Sequence, residues 1–185
     1  MSRLLFTLAA AGCVLTLAGC SAATPSTPAP TAAAASEATP TNGPGATLDR
    51  EGFSVTGPDG YADRTQENAA SFDQDATLQA YFQDDEGSTV TVYTVKADHP
   101  ELASFVKQYV ADAKADGTMD VLSQKPAKVG GQDAVVLTLQ DKAEGTGELQ
   151  YLTARPGYVL FVAGPNSNAP SRAANAATAE KIAFK

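Results

Sequence analysis

The sequence has little of the side-chain chemistry on which most enzymes depend. Its 185 residues include no tryptophan, two cysteines and one histidine. His99 restricts any histidine-based mechanism to one position, and the chain has no Gly-x-Ser-x-Gly nucleophile elbow. His99 also stands between an aspartate and a proline, where helping to start a helix is its ordinary role. We therefore predict neither catalytic residues nor a cofactor, and a hydrolase ranks last among the candidate functions.

Basic residues are scarce and scattered. The chain has 13 Lys and Arg against 21 Asp and Glu, which gives a formal net charge of −8. Nucleic-acid binding needs a basic stripe for the phosphates, and the sequence has neither a Lys/Arg cluster nor aromatic residues interleaved with one. The same charge disfavours adhesion of a folded domain to anionic lipid headgroups. We predict no nucleic-acid partner.

Apolar runs long enough to cross a bilayer are also missing. The run at residues 4–16 is shorter than the ~20 residues that a spanning helix needs. It follows Arg3 and leads into Leu-Ala-Gly-Cys at residues 17–20, the lipobox pattern of a cysteine that is to be acylated. This pattern predicts a lipoprotein signal peptide over residues 1–19, export through the Sec pathway and lipidation of Cys20.

Both cysteines are explained by this export signal. Cys13 would leave with the signal peptide and Cys20 would be committed to lipid, so the mature chain could form no disulfide and no thiolate site. A Cys13–Cys20 disulfide would require the signal to be retained. Removal of Arg3 leaves 12 basic residues against 21 acidic ones, a formal charge of −9. Acyl chains, palmitate among them, are expected to hold this acidic protein on the extracytoplasmic face of the cell membrane.

Residues 20–46 lack the side chains that build a core. After Cys20 they are mostly Ala, Thr, Pro, Ser and Gly, and Glu37 is their one charge. This composition predicts a disordered tether with candidate O-glycosylation sites at its threonines. As a polyproline II chain it would reach about 80 Å, enough to hold a domain clear of the headgroups.

Residues 47–185 have aliphatic and aromatic residues throughout and are long enough for one core. Alternating and helical patterns divide this single domain into strands, hairpins and two helices. The predicted elements are a strand at 53–55, a hairpin of 78–83 with 89–96, a helix from about 102 to 117, a hairpin of 121–129 with 132–141, a hairpin of 148–155 with 158–163, and a closing helix at 167–184.

Three local signals refine this arrangement. Asp98 and Glu101 form a capping-box pair for the first helix. Gly130-Gly131 suits a tight hairpin turn, and Pro126 predicts that the strand before it lies at a sheet edge. The strand at 158–163 is apolar on both faces and is therefore expected at the centre of the sheet. Together these signals predict an α+β fold, with a central antiparallel sheet flanked by helices.

Six tyrosines offer apolar area with a polar tip, the combination that interfaces favour. Most of them are expected to fill the layers between sheet and helices. Leu78, Ala80 and Phe82 are predicted to form the apolar face of one strand, which places Tyr81 on its opposite face. If any tyrosines are exposed at an interface, we expect Tyr61, which follows a turn, and Tyr81.

Acidic residues are dense enough to require a test for metal binding. The groups at residues 73–75 and 84–86 lack the glycine and distal glutamate of a calcium loop. Asp112 and Asp116 are four apart on a predicted helix, where solvated like charges are common. We predict no metal site. No acid pair shows the separated environments that would indicate glycoside hydrolysis.

Several short motifs resemble those of the PsbP-like superfamily. They are Gly52-Phe53-Ser54-Val55, Pro58-Asp59-Gly60-Tyr61, Val129-Gly130-Gly131-Gln132-Asp133-Ala134 and Lys181-Ile182-Ala183-Phe184. More narrowly, the chain is similar to actinobacterial LpqN-type lipoproteins, although Tyr61 stands where relatives often have tryptophan. The resemblance covers about residues 50–185. It implies an α/β/α sandwich with a central antiparallel sheet and a binding or assembly role.

We therefore expect a membrane-anchored lipoprotein of the bacterial cell envelope. Its domain would be a non-catalytic binding module for an envelope protein or glycolipid. The alternative is a carrier or chaperone for a lipid or small ligand. That alternative requires a cavity of several hundred Å³ lined by side chains such as Phe82, Phe105 and Phe161.

Overall fold

A computed structural model describes residue 43, residues 45–72 and residues 75–185. The predicted signal peptide, the lipidation site Cys20 and nearly all of the tether lie outside these residues. Two members of the acidic group at 73–75 lie outside them as well. The first strand begins at Thr47, where the predicted tether ends.

The described residues form ten antiparallel strands and three α-helices. In chain order these are β1 (Thr47–Arg50), β2 (Phe53–Thr56), β3 (Ala62–Asp63), α1 (Thr65–Asn68), β4 (Ala76–Gln83), β5 (Thr89–Lys96), α2 (Leu102–Asp116), β6 (Met119–Val129), β7 (Gln132–Asp141), β8 (Gly147–Arg155), β9 (Tyr158–Pro165), α3 (Ala169–Glu180) and β10 (Ala183–Phe184). A short 3₁₀ turn follows α1. Seven strands form one sheet in the order β3-β4-β5-β9-β8-β7-β6, and three form another in the order β1-β2-β10. The α+β fold class is confirmed.

Strand β9 occupies the middle of the large sheet because both of its faces are apolar. Leu160 and Val162 belong to a cluster shared with α3 and the small sheet. Val159 and Phe161 belong to a second cluster shared with α2. The large sheet is therefore covered on one face by α3 and the small sheet, and on the other by α2. The prediction of a central strand with two buried faces is confirmed.

In the part of the chain that the structure describes, no helix is long and apolar enough to cross a bilayer.

The hairpin of β6 and β7 also forms as predicted. Gly130 and Gly131 have φ angles of 53° and 77°, which glycine adopts without the steric cost that a Cβ imposes. β6 is the outer strand of the large sheet. Pro126 therefore occupies an edge, where its missing N–H breaks no interior ladder.

The regular alternation predicted for β4 is interrupted by a bulge. The pairing with β5 shifts register between Leu78 and Ala80. Leu78 lies opposite Tyr93, which belongs to the cluster under α2, whereas Ala80 belongs to the cluster under α3. Residues that are directly opposite share a face. The prediction that Leu78 and Ala80 share one face is therefore wrong. The Arg50 Nε donates to the Gln79 carbonyl at 2.6 Å, which satisfies an acceptor at the irregularity.

Helix α2 begins later than the proposed capping box requires. Its N-cap is Glu101, which makes no capping hydrogen bond and whose carboxylate instead accepts a hydrogen bond from the Ser104 hydroxyl. The capping role predicted for Asp98 is wrong. His99 has a φ of 48° and precedes Pro100, and the residue before a proline is sterically disfavoured in the helical region. The chain therefore becomes helical only after this proline.

The C-terminal segment is divided between a helix and a strand. The Asn168 side chain accepts from the Ser171 N–H at 2.8 Å and caps α3. The closing helix is observed only as far as Glu180, so the prediction that it continues to residue 184 is wrong. Ala183 and Phe184 form β10 and pair with β2, which closes the small sheet. β1 and β3 were not predicted, because strands of four and two residues are too short for a clear period.

Helix α3 packs so closely on β9 that one position tolerates no side chain. A Cβ on Gly164 would lie 2.6 Å from the Thr89 carbonyl oxygen and closer still to the Asn175 Oδ1. Asn175 is fully buried on α3. Gly164 therefore sets the distance between the helix and the sheet.

We expect Gly164→Ala to lower the free energy of unfolding by about 2 kcal/mol, because the added methyl group overpacks this contact. Urea unfolding followed by circular dichroism measures the loss. Gly147→Ala is the matched control, since its Cβ would come no closer than 3.3 Å to the Asn166 side chain. Equal losses for the two variants would contradict the close-packing argument.

Candidate functional site

An open groove lies where the N-terminal half of α2 crosses β6 and β7. Its volume is about 530 Å³. The lining residues are Glu101, Leu102, Ala103, Lys107 and Val110 from the start of α2, Gln124 from β6 and Val135 from β7. Apolar side chains from helix and sheet thus meet beside one carboxylate, one ammonium and one amide.

The groove remains open because α2 does not pack deeply on the sheet. Among the residues described for α2, Val106 alone is buried. The Phe105 and Tyr109 rings meet the Phe161 ring nearly edge-on, with centroids 6.0 and 5.6 Å away. These large rings fill the space between α2 and the central strand β9, and the groove lies beside them.

The outer strand beside the groove presents an exposed leucine. The pairing of β6 with β7 shifts register between Val121 and Ser123, which leaves Leu122 out of the ladder. Leu122 is 58% exposed, and it lies two positions before the groove residue Gln124. Edge bulges and prolines obstruct the addition of another strand. Around the bulge and Pro126, this edge therefore presents side chains rather than a regular backbone ladder.

A chain of polar side chains lies under the middle of α2. The Tyr109 hydroxyl donates to Gln150 Oε1 at 2.8 Å, and Gln150 Nε2 donates to Glu148 Oε1 at 3.2 Å. Gln150 is only 5% exposed. Burial raises the pKa of Glu148 to about 7 and raises the pKa of Tyr109 well above its usual value, with the Glu148 charge adding to the latter. This carboxyl therefore changes its charge near neutral pH.

Sequence reasoning missed Glu148 and Gln150. The pattern that could have revealed them was a pair of polar residues at positions i and i+2 of a strand paired with the most apolar strand of the chain. Residues at that spacing share one sheet face. Their partner Tyr109 is 41 residues away from Gln150, so no local pattern joined the three.

The two predicted interface tyrosines differ in exposure. Tyr61 is only 7% exposed and belongs to the core cluster under α3, so its expected exposure is wrong. Burial raises the pKa of Tyr61, and the Asp84 carboxylate raises it further. Tyr81 is half-buried on β4, and its backbone N–H donates to Thr65 Oγ1 at 3.0 Å. An interface role for Tyr81 stays a prediction.

The other chemistry-bearing residues lie apart and make local contacts. His99 is exposed in the loop before α2. Asp84 accepts the Ser88 N–H at 2.7 Å and shapes the β4–β5 turn, and Asp112 accepts the Gln108 side-chain amide at 2.8 Å. Across the described ranges, no three His, Cys, Asp or Glu side chains come together in a group that could hold a metal ion.

The three phenylalanines expected to line one cavity lie on different faces of the sheet. Phe82 belongs to the cluster under α3. Phe105 and Phe161 belong to the cluster under α2. The backbone of the large sheet separates the two clusters. A single cavity lined by all three rings is therefore wrong for this fold.

An antiparallel sheet covered by a helix on each face, with a small sheet beside one helix, defines a PsbP-like fold. The solution structure of cyanobacterial PsbP (CyanoP) from Synechocystis sp. PCC 6803 is similar to this chain, with a TM-score of 0.52 and 10% sequence identity. The match covers 75% of this chain and 90% of that chain. No family model and no curated protein sequence matches the chain. The PsbP-like fold that the sequence motifs imply is therefore confirmed.

We expect Tyr109→Phe to lower the free energy of unfolding by about 1 kcal/mol, because it removes the donor to a buried amide oxygen of Gln150. Tyr81→Phe is the matched control, and its effect should stay within about 0.5 kcal/mol. Urea unfolding at constant pH compares the two. A larger loss for Tyr81→Phe would show that the hydrogen bond to Gln150 contributes nothing specific.

Proposed function

We propose that this protein is a lipid-anchored lipoprotein of the bacterial cell envelope, similar to the LpqN type. Its PsbP-like domain acts as a non-catalytic binding module on the extracytoplasmic face of the cell membrane. The anchor is Cys20, which ends the lipobox. The binding face is the groove between α2 and the outer strands β6 and β7. The groove is the structural observation that carries the proposal.

The composition of the groove suits binding. Leu102, Val110 and Val135 supply apolar surface, and Glu101 and Lys107 supply charges of both signs beside it. Binding sites commonly combine an apolar centre with a few polar groups that fix orientation. A partner with an apolar side chain next to a polar or charged group fits this arrangement. An envelope protein segment is the partner class that we favour.

The position of the groove also supports the proposal. The chain enters the domain at β1, and Leu48 of β1 packs in the cluster on the α3 face of the large sheet. The groove lies on the α2 face. The chain therefore enters the domain on one face of the large sheet, and the groove lies on the other face.

A carrier for a lipid or small ligand is the second candidate. Its predicted cavity is divided by the sheet, so a carried ligand would have to use the open groove instead. An open groove buries less of an acyl chain than an enclosed cavity does, and burial of apolar area is the main source of affinity for such a chain. We therefore rank carriage below protein docking.

We expect Cys20→Ser to abolish acylation and to move the protein from the membrane fraction to the soluble fraction, because no thiol remains to be acylated. Cys13→Ser is the matched control and should leave the protein in the membrane fraction. Fractionation and intact-mass measurement of both variants provide the readout. A Cys20→Ser protein that keeps its membrane location and its mass would contradict the anchor.

We expect a photo-crosslinking side chain at Lys107 or Gln124, both exposed at the groove, to trap the same partner in intact cells. The same side chain at Arg172, exposed on α3, is the control because that helix covers the opposite face. Mass spectrometry identifies the adducts. Equal adducts from all three positions would contradict a specific binding face, and a lipid adduct in place of a protein adduct would favour the carrier.

A further inference from the structure

We propose that Glu148 forms a proton-operated latch for α2: the helix is held on the sheet while this carboxyl is protonated, and it loosens when the carboxyl ionises. Loosening α2 changes the opening of the groove between α2 and the outer strands. The effect of the latch on partner binding rests on the proposed function, because that function takes the groove as the binding face. The latch itself is a property of the domain.

Glu148 is half-buried on the face of the sheet that α2 covers. It lies on β8, opposite Leu139 of β7 and Pro165 of β9. Leu139 belongs to the cluster under α2, so Glu148 shares that face of the sheet. Gln150, on the same face, links the carboxyl to the hydroxyl of Tyr109 on α2. One hydrogen-bonded chain therefore connects the titrating group to the helix.

The groups around Glu148 do little to compensate a negative charge. Tyr109 from α2 and Tyr93 from β5 bring phenol groups near it; burial raises the pKa of both, and the Glu148 charge raises both further. The neighbours on β7 and β9, Leu139 and Pro165, are uncharged. The Gln150 amide is the donor that favours ionisation. The charged residues of α2 are exposed: Lys107, Asp112, Lys114 and Asp116.

The raised pKa of Glu148 determines whether a rise in pH strengthens or weakens the docking of α2. Burial raises the pKa of Glu148 from 4.5 to about 7, so the docked helix binds a proton that an opened helix would release. The contribution of the carboxyl to docking is full below about pH 4.5, falls as the pH rises toward 7, and is lost above it. Opening of α2 hydrates the carboxyl and relieves this penalty, against the cost of exposing Val106 and the apolar sheet face under the helix.

The groove responds because its two walls belong to different elements. Leu102, Lys107 and Val110 move with α2, whereas Gln124 and Val135 belong to the sheet. A looser helix widens the separation between these walls. The groove is therefore expected to be tighter in acidic surroundings than at neutral or alkaline pH.

Hydrogen exchange of the full-length protein tests the latch. After correction for intrinsic exchange rates, amide protection of α2 should fall tenfold or more between pH 4.5 and pH 8, since a shift of one pKa unit corresponds to about a tenfold change in the opening equilibrium. Amides of the central strand β9 provide the internal reference. Glu148→Gln should remove the pH dependence. Glu144→Gln, an exposed position in the turn before β8, should retain it.

Two results would overturn the latch. One is α2 protection in the wild type that does not change with pH relative to β9. The other is a Glu148→Gln protein that keeps the wild-type fall. If that variant does not fold, carbon-13 titration of the Glu148 carboxyl in the wild-type protein decides, and a midpoint near 4.5 would refute the latch. Crosslinking at Lys107 and Gln124 at one fixed pH tests the binding face separately, so the two proposals can fail independently.

Discussion

The structure depends on one constraint, the burial of both faces of β9. Both faces of this strand are apolar, so each face must be covered by a layer of other residues. The strand must also have a neighbouring strand on each side, because it cannot lie at a sheet edge in contact with water. β5 and β8 supply the neighbours. α2 supplies one layer, and α3 with the small sheet supplies the other. The remaining elements are arranged around this strand.

The two covering layers differ because their side chains differ in size. On the α3 face, Ala174, Thr178 and Ala179 are buried, and Gly164 of β9 lets the helix come close. On the α2 face, the Tyr93 and Phe161 rings stack at 4.7 Å, and Phe105 and Tyr109 add further rings above them. Small side chains permit close approach, and large rings prevent it. The α3 layer is therefore compact, and the α2 layer leaves both a groove and room for polar groups.

In the proposed function, the point where the chain enters the domain and the binding groove lie on different faces of the large sheet. The chain enters the domain through β1, on the compact face, whereas the groove and the polar chain under α2 lie on the opposite face. The same loosely packed helix lines the groove and contacts the titrating carboxyl through Tyr109 and Gln150. A change in the charge of this carboxyl with pH would therefore act on α2, the helix that forms one wall of the groove.

Local patterns determined the elements whose signals lie within a few residues. These are the hairpin turn at Gly130-Gly131, the edge position of Pro126, the central position of β9 and the α+β class. The tertiary structure alone decided the bulge after Leu78, the burial of Tyr61, the pairing of β10 with β2 and the chain from Glu148 to Tyr109. Each of these depends on residues distant in sequence. Periodicity reports which face of an element is apolar, whereas only three-dimensional packing determines what that face meets.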